Sequence, residues 1–281
     1  MREVDVKVIT EKVKKALIDI AYFLPTDVKK SLETARENEK WDLAKKTLDQ
    51  IIMNADIAKK TRSPMCQDTG MVVAFVRLGQ EVHIANGWIE DAINEGVRQA
   101  YKDGYLRKSV VSDPLNGRVN TKDNTPAVIN YEIVQGDEFT IELAAKGFGS
   151  ENMSRFAMLK PSDGLEGVKA FILETAELAG PNACPPIVVG VGIGGTVDRV
   201  TLLAKKSLMR SFDEYNPDPF YANLEKEMLE KINELGIGPQ GYGGKTTALR
   251  VMIEKYPTHI AGLPICVNIN CHATRHIEVK F

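Results

Sequence analysis

The sequence has no Cys-x-x-Cys pair, only four cysteines in 281 residues, and no excess of basic over acidic side chains. Each shortage excludes something. The missing cysteine pair argues against a zinc ribbon or a thioredoxin-like redox site. Lys+Arg 36 against Asp+Glu 38 leaves a formal net charge of −2, so nothing advertises a nucleic-acid surface. No run of like charges suggests a tail. The longest apolar stretches, such as Pro185 to Thr196, fall well short of a membrane span. The chain opens on charged residues rather than an apolar signal segment. A cytoplasmic protein is therefore expected, with neither membrane nor nucleic acid as partner. In that reducing setting disulfides are not expected. Cys66, Cys184, Cys266 and Cys271 are left for ligation, catalysis or plain burial.

What is present is ordinary in bulk, 43% hydrophobic and 26% charged, and enough to bury a sizeable core. One stretch stands out locally: Ser63-Pro64-Met65-Cys66-Gln67-Asp68-Thr69-Gly70. A thiol, a carboxamide and a carboxylate follow one another between backbone-breaking Pro64 and Gly70. Such punctuation marks a tight loop at an element boundary, where chemistry often sits.

Before that loop the pattern is helical. Ile9, Val13, Leu17 and Ile20 stripe one helix closed by Pro25, and Val28, Leu32 and Ala35 a second with Thr26 as N-cap. Ala44, Leu48, Ile51 and Ala55 stripe a third. Met71 to Val76 is short and continuously apolar, which predicts a buried strand. Ile89, Ile93, Val97 and Tyr101 mark a helix stopped at Gly104 as a C′ residue. The long turn-rich segment from Tyr105 to Pro126 predicts a functional loop, its polar content being Arg107, Asn120, Thr121 and Asn124. Ala127–Val134 and Phe139–Ala145 predict a hairpin around Gly136-Asp137, the second strand alternating as a half-buried one does. Further helices follow over Val168–Ala176, Val197–Ala204 and Leu224–Leu235, and strands over Ile187–Val191, Leu249–Ile253 and Pro264–Asn270. The expected class is α/β. It is a mixed α/β globular unit spanning 1–281, helical over about 1–62 and alternating strands and helices thereafter.

Two glycine motifs carry less than they promise. Gly190-Val191-Gly192-Ile193-Gly194-Gly195 fits GxGxxG after a strand. A dinucleotide site also needs a second parallel strand ending in an acidic residue roughly 20 positions on. Here that region, Ser211 to Pro217, predicts a loop entering a helix, so a generic anion site or close backbone approach is the better use for these glycines. Gly241-Tyr242-Gly243-Gly244-Lys245-Thr246 resembles the end of a P-loop, but Pro239 stands where its first glycine belongs and a strand pattern follows.

Cys66, Cys184 and Cys271 share a context: each lies at a junction with polar neighbours. Three thiolates can hold three irons of a [4Fe–4S] cluster and leave the fourth open to a ligand, which turns an electron carrier into a Lewis acid. Around them stand Cys66-Gln67-Asp68-Thr69-Gly70, Lys146-Gly147-Phe148-Gly149-Ser150, Cys184-Pro185-Pro186, Gly194-Gly195-Thr196 and Cys271-His272-Ala273-Thr274-Arg275. In this order the motifs resemble the iron–sulfur hydro-lyases, the class I fumarases and L(+)-tartrate dehydratases, over nearly the whole chain. The chain resembles a free-standing α subunit, since it stops soon after Cys271.

The resemblance implies a [4Fe–4S] cluster with one open iron on Cys66, Cys184 and Cys271, with Cys266 a buried residue of the last strand. It implies Gln67 and Asp68 as substrate contacts, Asp68 also as general acid, and Arg107 as the grip on a substrate carboxylate. Gly149 would contribute a backbone N–H, although Phe148 interrupts the usual run of three glycines. His259 matches an active-site histidine that also contacts substrate. The substrate would be a small dicarboxylate, with hydration of fumarate to L-malate expected first and dehydration of L-tartrate second. No base for the C–H proton is evident. The resemblance places it on a β subunit, with an α2β2 heterotetramer as the expected assembly. A reading of another class, a non-catalytic zinc- or nucleotide-binding module, uses the same cysteines and glycines.

Overall fold

A computed structural model describes residues 2–281. In chain order the elements are β1 (Arg2–Asp5), α1 (Val6–Tyr22), α2 (Thr26–Asn38), α3 (Asp42–Thr61), β2 (Met71–Gly79), β3 (Val82–Ala85), α4 (Ile89–Asp103), β4 (Val128–Val134), β5 (Phe139–Lys146), the single turn α5 (Phe148–Glu151), β6 (Arg155–Leu159), α6 (Gly164–Ala179), β7 (Ile187–Gly194), α7 (Val197–Ser207), α8 (Pro219–Glu234), β8 (Ala248–Tyr256), β9 (Leu263–Asn270) and β10 (His276–Lys280). This is the mixed α/β class, with a helical N-terminal region followed by strands and helices. The contacts divide it into two compact units. One holds Met1–Pro25, Asn54–Phe148 and Arg275–Phe281, the other Thr26–Met53 and Gly149–Thr274.

The first unit is built on a four-stranded sheet of order β10-β5-β2-β4, with β1 and β3 paired in parallel beside it. The apolar run of β2 takes a central place, as a strand buried on both faces must. Helices α1 and α4 lay Ile9, Val13, Leu17, Ile93 and Val97 against Val72, Ala74, Ile141 and Leu143. Each fully buried aliphatic side chain of this kind is worth about 1.5–3 kcal/mol. The start of α1 is fixed by Asp5, whose side chain accepts from the backbone N–H of Lys7.

The expected hairpin does not form. β4 and β5 are both present, but β2 lies between them, parallel to β4 and antiparallel to β5. The 135–138 connection passes over the end of β2, where Gly79 N–H donates to Glu138 O and Glu81 N–H to Gly136 O. A continuously apolar strand gains more by filling the centre of a sheet than two half-polar neighbours gain by pairing with each other. β5 correspondingly is buried on both faces apart from Glu142, not half-buried. α4 stops at Gly104 as expected, with Gly104 as its C-cap at φ −85.

The second unit carries a sheet of order β6-β9-β7-β8, covered on both faces. Ile187, Val189, Val191 and Ile193 of β7, with Ile265, Val267 and Ile269 of β9, pack against α6 and α8. Cys266 faces the other way, onto Val200 and Ala204 of α7. The glycines at 190 and 192 let α7 approach. A Cβ on Gly190 would stand 2.3 Å from Ala204 O, and one on Gly192 2.2 Å from Val200 O. The GxGxxG pattern is thus consumed by helix–strand packing. The P-loop-like stretch is closed by a carboxylate: Glu39 Oε2 accepts the N–H of Lys245 at 2.7 Å, where a phosphate loop needs that N–H for its anion. No helix among the described residues is long and apolar enough to cross a membrane.

Candidate active site

The Cys66 loop belongs to the first unit and is held from several sides. Asn54 Nδ2 donates to Met65 O at 2.8 Å, and Met65 N–H donates to Ala21 O at 3.0 Å. Tyr101, fully buried in α4, sends its hydroxyl to the carbonyls of Thr69 and Gly70. Burial raises the pKa of that hydroxyl above the ordinary phenol value, so it stays a donor. Asn124, also fully buried, donates to Gly70 O at 3.2 Å and accepts from Ser109 N–H at 2.8 Å. A loop anchored this way presents its side chains at small entropic cost.

Asp68 is held in place by main-chain donors. Its Oδ1 accepts from Gly70 N–H at 3.0 Å and its Oδ2 from Phe148 N–H at 2.8 Å. Gly147 leaves room for this approach, since a Cβ there would stand 3.2 Å from Asp68 Oδ2 and 3.6 Å from Arg275 Nη2. Arg275 is buried and close enough to influence the same Tyr101 hydroxyl. Cys66 is half-buried, with Sγ 3.5 Å from Oε1 of the exposed Gln67. Asp68 also opens onto a cavity of ≈ 440 Å³ whose walls include Met71, Val110, Val111 and Phe148.

The long segment after Tyr105 is irregular, as expected, but its polar residues mostly serve its own backbone. Asn120 Nδ2 donates to Lys108 O, Thr121 bonds Val110 O, and Asn124 anchors the Cys66 loop. Arg107 differs. Its carbonyl accepts the Thr69 hydroxyl at 2.8 Å, which ties the segment to the Cys66 loop, while its side chain is exposed.

The second unit brings Cys184 and Cys271 to one end of its sheet. β7 and β9 run antiparallel with Val188 opposite Asn270, so the residues before β7 and after β9 meet. Cys184 is exposed and stands in the left-handed region (φ 53) after a 3-10 turn at Gly180–Ala183. Cys271 is half-buried, its N–H donating to Asn270 Oδ1 at 3.1 Å. His272 joins the two: its Nδ1 lies 3.0 Å from Cys184 O. The same Nδ1 lies 3.2 Å from Gln240 Nε2, so it donates to Cys184 O in one tautomer and accepts from Gln240 in the other. Gln240 packs beside it and donates to Pro185 O at 2.8 Å. Gly149 is exposed, with nothing within 4 Å of where a side chain would stand.

His259 is not brought to this end. It lies in the exposed connection between β8 and β9, where its Nδ1 accepts from Ala261 N–H at 3.2 Å. β9 separates it from Cys271, and eight residues of strand span roughly 25 Å. The histidine beside the cysteines is His272. In the sequence His272 stands inside Cys271-His272-Ala273-Thr274-Arg275 with no role of its own. The available signal was its place right after Cys271 at a strand end.

All four cysteines are free thiols. Cys266, 6% exposed, has its pKa pushed up to about 12 by burial, so it stays protonated and makes a poor metal ligand. Cys66, Cys184 and Cys271 sit in loops with their sulfurs less enclosed, the donor set a cluster with one open iron requires. Neither unit by itself gathers three His, Cys, Asp or Glu side chains that could hold a metal ion, among the described residues.

Comparison with known proteins supplies the class. The chain belongs to the family described as fumarate hydratase (Fumerase), whose model matches residues 10–280, and is thereby a hydro-lyase family member. Among its relatives is a Methanocaldococcus jannaschii protein provisionally named L(+)-tartrate dehydratase subunit alpha. It is 47% identical over 273 residues, 95% of this chain and 95% of that one. The L(+)-tartrate dehydratase subunits alpha of Escherichia coli K12 and Shigella sonnei are each 32% identical over 269 residues, 95% of this chain and 88% of theirs.

Proposed function

We propose that this chain is the α subunit of a two-subunit hydro-lyase that holds a [4Fe–4S] cluster on Cys66, Cys184 and Cys271 and acts on a small dicarboxylate. The observation that carries the reading is the β7–β9 register. It puts two accessible thiols at one sheet end, while the fourth cysteine is buried and protonated. When bound, such a cluster supplies a Lewis acid for adding or removing water.

The chain's own residues do the rest. Asp68 is oriented by two backbone donors and carries the proton to or from the departing oxygen. Arg107, with its guanidinium exposed, offers two parallel N–H donors to a substrate carboxylate. Gln67 and the open backbone of Gly149 add hydrogen bonds. His272 steadies the Cys184 turn through its carbonyl. The base for the C–H proton is assigned to a β subunit, a partner supported by relatives that are named as alpha subunits.

Those relatives' names put L-tartrate first as substrate, and the family description puts fumarate beside it. This reverses the order drawn from sequence. The deciding experiment is anaerobic reconstitution of the chain with iron and sulfide, then assay with its β subunit on L-tartrate and on fumarate. About four irons and four sulfides per chain are expected, with turnover of one substrate clearly ahead. Stoichiometric zinc without sulfide would defeat the cluster, and the two rates decide the substrate.

A further inference from the structure

The stretch from Cys271 ends on a residue that the proposed function leaves unused. Arg275 is 3% exposed and stands just before β10, where its carbonyl accepts from Ala145 N–H at 3.1 Å. A guanidinium keeps its charge at any ordinary pH, so burying one is costly unless its surroundings compensate. Arg250, also buried, shows such compensation. Its Nη2 donates to Glu214 O at 2.7 Å, and its guanidinium carbon lies 3.7 Å from the Tyr215 ring centre. Arg275 Nε has no hydrogen-bond partner among the described residues.

What lies beside Arg275 is the Asp68 corner, and both belong to the first unit. Asp68 Oδ2 and Arg275 Nη2 meet over Gly147, at 3.2 and 3.6 Å from where its Cβ would stand. The two charges also reach one buried group: at the Tyr101 hydroxyl Arg275 favours ionisation and Asp68 opposes it. Lys146, equally buried, gives its Nζ to Gly147 O at 3.1 Å. Oδ2 is the oxygen that accepts from Phe148 N–H. A cation on the Oδ2 side adds an attraction that weakens if the side chain swings into the cavity onto which it opens.

We infer that Arg275 is a positioning residue for Asp68: its charge keeps Oδ2 on the Phe148 N–H, the orientation in which Asp68 meets the departing oxygen. The effect on turnover rests on the hydro-lyase reading, whereas the effect on the Asp68 hydrogen bond does not.

The test compares Arg275→Met, which keeps the apolar stem, with Arg275→Lys, which keeps the charge. Hydrogen–deuterium exchange of the full chain reads the position without any turnover. The Phe148 amide should exchange about tenfold faster in Arg275→Met and near the wild-type rate in Arg275→Lys, with the Val189 amide of β7 unchanged in both. In the reconstituted enzyme with its β subunit, Arg275→Met should lower kcat by about tenfold or more and leave KM close to wild type. Arg275→Lys should recover most of that loss. Unchanged Phe148 exchange in Arg275→Met, or equal effects of the two variants, overturns the inference. So does a raised KM with kcat kept, because Arg275 then grips substrate itself. An Arg275→Met chain that unfolds or loses iron and sulfide makes the arginine structural and overturns it as well. A wild-type enzyme that turns over neither L-tartrate nor fumarate defeats the hydro-lyase reading instead, and the exchange rates still decide the positioning.

Discussion

The Tyr101 hydroxyl lies 2.7 Å from Thr69 O and 3.0 Å from Gly70 O, sharing its one proton between two carbonyls of the loop that carries Cys66 and Asp68. A residue in a helix stripe is thus also a clamp on the site. Tyr101→Phe keeps the ring in the core but leaves Thr69 O buried without that donor. Orphaning one buried acceptor costs about 1–3 kcal/mol. Urea unfolding should show a loss of that size, and turnover should fall with it because the Asp68 loop loosens. An unchanged unfolding midpoint would mean the hydroxyl contributes nothing.

Gly147 stands where a side chain would press on the Asp68 carboxylate, at 3.2 Å from Oδ2. That contact is tight enough to push the carboxylate by a few tenths of an ångström without breaking the fold. Gly147→Ala should keep the cluster and lower kcat by roughly tenfold or more, as small misplacements of reacting groups do. Asp68→Asn should also keep the cluster and lose turnover, since it removes an acid and no iron ligand. Loss of iron in either variant would make this corner structural instead.

Much of this was legible beforehand, for reasons particular residues show. The stripes Ile9–Ile20 and Ile89–Tyr101 announced α1 and α4, because one face of each must be buried. The run from Met71 announced a buried strand. The hairpin was misread because pairing is non-local: β4 and β5 are neighbours in sequence, and β2 enters from elsewhere. The short strands β1, β3 and β10 gave no periodic signal over so few residues. Cys66, Asp68, Cys184 and Cys271 were readable as junction residues. Which end of a strand His259 occupies depends on sheet direction, which no local pattern reports.

Cys266 gives a pH prediction with a definite sign. Burial raises its pKa from 9.0 to about 12, so above pH 9 the unfolded thiol loses a proton that the folded one keeps. Unfolding then releases protons, and the stability tied to this thiol, full below pH 9, is lost as pH rises toward 12. Melting temperature should therefore fall more steeply between pH 9 and pH 12 in the wild type than in Cys266→Ala. Equal slopes would show that the thiol is not desolvated. In the same variant the cluster should remain, whereas Cys66→Ser, Cys184→Ser and Cys271→Ser should each impair it, a hydroxyl being a poorer ligand for iron than a thiolate.

The two histidines separate a local role from a distant one. His272 Nδ1 is 3.0 Å from Cys184 O, while His259 lies across the length of β9 from Cys271. His272→Ala removes the ring that links Cys184 O and Gln240 beside a proposed cluster ligand, so the reconstituted chain should lose iron and sulfide faster in air. His259→Ala should leave iron and sulfide content unchanged in the isolated chain, because it touches neither cysteine. Should His259→Ala nonetheless slow turnover in the complete enzyme, the histidine acts either at its own chain's site or from another copy of the chain. Mixing His259→Ala with Asp68→Asn chains then decides the matter. A hybrid in which one chain supplies Asp68 and the other His259 has one intact site, so activity reappears on mixing. If His259 served the site of its own chain, every site in the mixture would lack one residue or the other, and no activity would return.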